Sequence, residues 1–164
     1  MILTKKETMN KIIEVAEDSE KAVIRGKILD FEQVLSKFPG AKFGDDCCPL
    51  KHTFVDGAYI REIFMPKGTL LTSKIHKIRH PYFVMQGDCS VLTDSGVVRI
   101  KAPYHGITEP GTKRMLYMHE DTVWITVHVT NETDLEKIEE QIIAKSFDDI
   151  QLTSDDIKKL KEDA

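Results

Sequence analysis

Two histidines four residues apart, His76 and His80, lie in a stretch of chain that is richer in cations than in carboxylates. Between Arg61 and Arg114 there are 9 basic residues and 4 acidic ones, while the whole chain carries a formal charge of -4. Lys74 and His76 are two apart, so on a strand they share a face. Tyr82 and Gln86 have the parity of His80, and one parity of such a strand must line an interior. Tyr82 is then either a polar wall residue or a core residue with its hydroxyl satisfied. Trp124, Thr126 and His128 share one face of a later strand. An inward Trp124 either anchors a core or stacks on a ligand ring, and His128 reads as a structural histidine. Arg114 ends the basic segment and is able to grip an anion bidentately. An acid/base pair would have to come from His76 or His80 with Glu120, Glu62 or Tyr82. His52 lies near an expected loop and carries no signal.

Other chemistry has no foothold. There is no Gly-rich phosphate loop, no G-x-S-x-G elbow and no H-E-x-x-H. Cys47 and Cys48 are adjacent with no base arranged beside them, and Cys89 begins a strand where burial is expected. Three Cys and no C-x-x-C pair make neither a disulfide framework nor a zinc knuckle. The basic residues are scattered without aromatic interleaving, so no nucleic-acid partner is expected. If they converge, they make a positive cavity instead.

The elements that must position these residues fall into three blocks within 164 residues, a length that suits one domain. Residues 1–42 are expected to be helical. Thr4 to Glu7 has capping-box spacing, and Ile12, Ile13, Val15 and Ala16 recur at helical intervals. Phe31, Val34, Leu35 and Phe38 repeat the stripe before Pro39-Gly40 stops it, so two short helices are predicted. Residues 43–130 carry short β-rich runs (AYIREIFM, TLLTSKIH, YFVMQG, CSVL, VVRIKA, KRMLYM, TVWITVHV) separated by turn signals such as Pro66-Lys67-Gly68 and Asp94-Ser95-Gly96. Seven or eight strands at that spacing predict an antiparallel sandwich or barrel. Residues 131–164 are helical again and acidic, with 11 acidic and 5 basic residues. Asp134, Leu135, Ile138, Ile142 and Ile143 form the apolar stripe, and Ser154 is placed to cap a last short helix, Asp155–Lys161. The fold class is therefore mainly β with flanking helices, one structural domain overall. No run approaches 18 apolar residues, so no membrane span is expected. The charged N-terminus, MILTKKETMNKIIEVAEDSEK, is unlike an export signal, and a cytoplasmic protein is expected.

Residues Gly68 to Gly87, GTLLTSKIHKIRHPYFVMQG, resemble the first signature of the cupin (double-stranded β-helix, jelly-roll) superfamily. That signature is a glycine, a strand carrying His-x-His, three or four residues, a glutamate, six residues and a glycine. Counting back from Gly87 puts His80 at the glutamate, His76 at the second histidine and Lys74 at the first. Glu109-Pro110-Gly111-Thr112-Lys113-Arg114 is similar to the second signature and puts Arg114 at its third histidine. The resemblance spans about residues 59–129. More narrowly, Cys48-Pro49-Leu50-Lys51-His52 with YIREIFMPKGTLLTSKIHK, PGTKR and HEDTVWITVHVTNETD is similar to small cupin-like proteins encoded by tailed bacteriophages.

The resemblance implies a barrel with a pocket at its mouth, and a homodimer or higher homo-oligomer. The usual cupin metal site uses three imidazoles and a carboxylate. Here Lys74 and Arg114 would repel a divalent cation, so the matched set, with Tyr82, Gln86 and Trp124 as further wall residues, favours a small anionic ligand and no cofactor. The metal alternative is a three-histidine site of His76, His80 and either His119 or His105, with a position left for water and Fe, Mn, Ni or Zn bound. Three functional classes stay open: a non-catalytic binder, a metal-dependent enzyme (isomerase or epimerase, lyase, dioxygenase), and a virion or assembly scaffold. The first is preferred, and in a phage setting it would sequester a nucleotide-like signal in the host cytoplasm.

Overall fold

The computed structural model of the chain describes residues 5–42, 46 and 48–150, with side chains from residue 19 onward. A long helix, α1 (Lys5–Ser36), precedes ten strands. These are β1 (Leu50–Val55), β2 (Ala58–Met65), β3 (Leu70–Thr72), β4 (Ile75–His76), β5 (His80–Gln86), β6 (Asp88–Thr93), β7 (Gly96–Lys101), β8 (Tyr104–Thr108), β9 (Met115–Met118) and β10 (Thr122–Val129). A short helix α2 (Leu135–Ile142) and a two-residue strand β11 (Ile143–Ala144) follow.

All pairings are antiparallel, and the strands divide into two main sheets of order β1-β2-β10-β5-β8 and β3-β9-β6-β7. Leaving out β1, each sheet takes its strands alternately from the two ends of the chain order. That is the strand order of a jelly roll, built from two Greek keys. The expected fold class, mainly β with flanking helices, is the observed one.

The core forms because alternate residues of facing strands point inward. On β10, Thr122, Trp124, Thr126 and His128 are buried, and on β5, His80, Tyr82 and Val84 are buried. Of these, Tyr82, Val84 and Trp124 pack with Cys48, Met65, Cys89, Val91, Ile100, Leu116 and Met118 into one cluster. The alternation fails at Gln86, where the register of β5 against β10 shifts between Val123 and Trp124. Just beyond it, Gly87 adopts φ +99, and a Cβ there would strike Thr122 and Asp121. Glycine is thus required where the chain crosses from the first sheet to the second.

Two corrections concern the helices. The N-terminal block is one helix of 32 residues, not two. The stretch between the two apolar stripes, EDSEKAVIRGKILD, has little periodicity, but most of it consists of good helix formers, and one Gly26 costs only about 1 kcal/mol. The helix docks through Ile28, which is 1% exposed, through Arg25 to Asp94 at 2.7 Å, and through Glu32 to Lys113 at 2.8 Å. At the other end, Asp134 caps α2 by accepting from the amides of Glu136 and Lys137, and Ile138 and Ile142 pack on Tyr59. Ile143 leaves the helix to pair with His76. The Thr4 cap and the helix expected over Asp155–Lys161 lie outside the described residues.

The run TLLTSKIH also divides, into β3 and β4. Ser73 interrupts it by donating its amide to the Arg114 carbonyl at 2.8 Å, while its hydroxyl accepts from the Arg114 amide at 2.9 Å. The strands β1 and β8 had no counterpart among the expected runs.

Candidate functional site

The mouth of the jelly roll opens into a cavity of about 810 Å³, walled by β2, β3, β9 and β10 from the barrel and by α1 and α2 from outside it. Arg114 lies in this wall immediately before β9, its backbone clamped by Ser73. Only 7% of it is exposed. Its guanidinium donates to the Thr108 hydroxyl at 2.7 Å and lies 5.1 Å from the Tyr82 ring centre and 5.7 Å from that of Trp124. Those rings are themselves stacked, 4.5 Å apart and 12° from parallel. Among the described residues, no carboxylate forms an ion pair with Arg114. Burial pulls its pKa below the usual value, but a guanidinium stays charged at neutral pH.

Three imidazoles form a cluster, of which His76 and His80 feel the charge of Arg114 and His128 stands beside His80. His80 is 4.7 Å from His76 and 4.3 Å from His128, centre to centre. His80 donates Nδ1–H to the Ile78 carbonyl at 2.8 Å, leaving Nε2 as a lone pair. His128 shares Nε2 with the Thr126 hydroxyl at 3.1 Å. Buried and without a partner are His76 Nδ1, His80 Nε2 and His128 Nδ1. Burial is the main cause that pushes His76 down to about 2 and His128 to about 4, aided by the neighbouring rings and by Arg61. His80 is also lowered, chiefly by burial. All three are therefore neutral at pH 7.

The remaining cations of the lining are answered or exposed. Lys113, 6% exposed, pairs with Glu32 and donates to the Ser73 carbonyl at 2.8 Å. Lys74 pairs with Glu139 at 2.6 Å at the solvent-facing rim, so it is not the inward cation expected of it. The strand breaks before Ile75, so Lys74 lies outside it, and although both Lys74 and His76 line the cavity, regular pleating does not relate them.

The expected residues thus separate. The structure brings together Arg114, His76, His80, Tyr82 and Trp124, of which Arg114, His76 and Trp124 face the cavity. His80 stands behind His76, and Tyr82 lies behind Trp124 with its hydroxyl towards Tyr104. Gln86 is exposed, because the register shift turns it outward. His119 faces away from the interior, bonded to Ser90 at 2.8 Å and edge-on to Tyr117. His105 is exposed on the outer face against Phe83. Neither supplies the third imidazole, and the strand parity that buries Met118 and Thr108 turns them out. His128 holds that place, next to His80. Arg61 and His52 also line the cavity, with His52 Nδ1 2.7 Å from the Tyr59 hydroxyl. Arg61 is found only through pairing, since it faces Thr126 across β2 and β10.

A divalent metal does not fit these residues. Among the described residues, no group of three His, Cys, Asp or Glu side chains is placed to hold one. The fixed charge adjacent to the imidazoles is the positive Arg114, which repels a divalent cation. Of the groups expected to form an acid/base pair with His76 or His80, Tyr82 lies behind Trp124 with its hydroxyl towards Tyr104. Glu62 and Glu120 do not line the cavity, and the two carboxylates that do, Glu32 and Glu139, are both engaged by lysines.

No family model and no curated protein matches the sequence. Among solved structures, the chain is similar to a cupin-2 domain containing protein from Shewanella frigidimarina at 7% identity and TM-score 0.42, over 50% of this chain and 80% of that one. It is also similar to a predicted oxalate decarboxylase from Thermotoga maritima at 16% identity and TM-score 0.43, over 50% and 79%. A third is the DMSP lyase DddQ from Ruegeria pomeroyi at 14% identity and TM-score 0.47, over 58% and 54%. No helix among the described residues is long and apolar enough to cross a membrane. By its own strand order the chain is a jelly roll, the architecture to which cupin domains belong.

Proposed function

We propose that this protein binds a small anionic molecule in the cavity and does not transform it. The observation that supports the reading is Arg114, a guanidinium almost wholly withdrawn from water with no carboxylate against it among the described residues. An unpaired buried charge costs several kcal/mol, which an arriving anion recovers. Two aromatic rings and Thr108 hold the guanidinium in place, so little side-chain entropy is lost on binding. His76 and His128 add neutral ring nitrogens able to donate to the same anion. The similarity to phage-encoded proteins extends the proposal to sequestration of a small host molecule, a nucleotide-like signal being one case.

The test is native mass spectrometry of gently purified, untagged protein against its denatured mass. The expected result is a non-covalent organic adduct that is present in the wild type and absent from Arg114→Met. A transition-metal mass lost in His76→Ala would overturn the reading in favour of a metal-dependent enzyme.

A further inference from the structure

The cavity combines a buried charge that no carboxylate answers among the described residues with a wall that is mostly hydrocarbon. Met65, Leu71 and Leu116 line it from the barrel, Leu29 and Leu35 from α1, and Ile138 from α2. The groups able to meet charge form one cluster, since His76 senses both Arg114 and Arg61. Within that cluster the count of free positive charge is small. Lys113 is paired with Glu32 and Lys74 with Glu139, Arg61 is only half-buried and has an interaction of its own while its charge still reaches His76 and His128, and Lys42 and Lys145 are exposed to water. The three histidines contribute no charge at neutral pH. Arg114 is left as the buried cation that needs a counter-ion.

We infer that the ligand is a monoanionic acid with an apolar body, a carboxylate whose hydrocarbon or aromatic part lies against the leucines and isoleucine while its oxygens meet Arg114 and the ring nitrogens of His76 and His128. The inference rests on the anion-binding reading above and narrows it. A carboxylate matches one guanidinium in charge and in its two-oxygen geometry. A nucleotide or polyphosphate would bring two or more negative charges to the one buried cation that lacks a carboxylate partner among the described residues, and bury the surplus against hydrocarbon, where ions are strongly disfavoured. The volume is also larger than a bare small anion needs, and lies in the range that encloses a medium-sized organic molecule.

The test is titration calorimetry at pH 7 with acetate, butyrate, hexanoate and octanoate, set against octanol, inorganic phosphate and AMP. Affinity is expected to rise about threefold to fourfold per methylene along the carboxylates until the cavity is filled. Octanoate should exceed octanol at least tenfold, and Arg114→Met should abolish that difference. Leu35→Gln should weaken octanoate about tenfold and leave acetate unchanged, which keeps the test intact if Arg114→Met does not fold. Binding of AMP or phosphate through Arg114, with no gain along the carboxylate series, would overturn this inference and leave anion binding standing. Failure of every anion to bind would overturn both.

Discussion

Arg114, His76, His80 and His128 form a cluster in which one member keeps its charge and three give theirs up. Burial disfavours the imidazolium in each ring, and Arg114 adds repulsion at His76 and His80. A histidine that is neutral when folded binds fewer protons than in the unfolded chain, so stability is lost as pH falls below its ordinary value of 6.5. Each of His76 and His128 would contribute a slope of up to about 1.4 kcal/mol per pH unit, continuing to about pH 4 for His128 and lower for His76. Urea unfolding at pH 7, 6 and 5 should show this decline, and His76→Gln should remove part of it, His80 and His128 supplying the rest. A bound anion favours the imidazolium, so ligand should flatten the same curve. A profile indifferent to pH between 7 and 5 would contradict the burial of these rings. A second prediction concerns Gly106, where an added Cβ would lie 2.6 Å from the Tyr82 hydroxyl. Gly106→Ala should therefore displace Tyr82, the platform beneath Trp124 and Arg114, costing about 1–3 kcal/mol in denaturant melts and weakening anion binding with it.

At the level of elements, the helices complete a cavity that the barrel begins. Glu32 is the hinge of this arrangement, because it accepts from Lys113 and from the Thr72 hydroxyl at 2.6 Å. Glu32→Ala leaves Lys113 buried without its counter-ion, and the expected loss is roughly 1–2 kcal/mol, reduced from that of a fully buried pair because Glu32 is 41% exposed. Thermal unfolding of the variant measures it, and an unchanged transition would mean that α1 does not hold Lys113. The strands β2 and β10 were legible to the residue, since each is a β-rich run set off by turn residues, and β10 in addition alternates between buried and half-buried positions. Edge strand β1 was not, because its polar residues leave no alternation to detect. The same limit applies to the site. Arg114 and His76 stood out through the resemblance to the two cupin signatures, whose glycines and proline are local information. His128 and Arg61 depend on how β2, β10 and β5 register against one another, and nothing near them in the chain encodes that. Gln86 was misplaced for the converse reason, since parity counted along β5 continues through a register shift that only pairing with β10 produces.

For the whole molecule, the two sheets supply a rigid frame and the helices set how much of its interior meets solvent. Cys89 and Cys48 record the difference. Cys89 is fully enclosed in the core, and burial with Asp88 nearby pushes its thiol up to about 11. Cys48, 1% exposed, belongs to the same core cluster but also borders the cavity. The pair forms an internal clock for two kinds of opening. Alkylation of Cys89 must wait for the barrel itself to come apart, so its rate follows global unfolding, slowed by about 10³ or more relative to a free thiol. Cys48 needs only the separation of helix from barrel and should react faster. Pulse alkylation with peptide mapping reads both at once, and octanoate in the cavity should retard Cys48 more than Cys89. Equal rates, unchanged by the acid, would mean that the helices and the barrel open as one body.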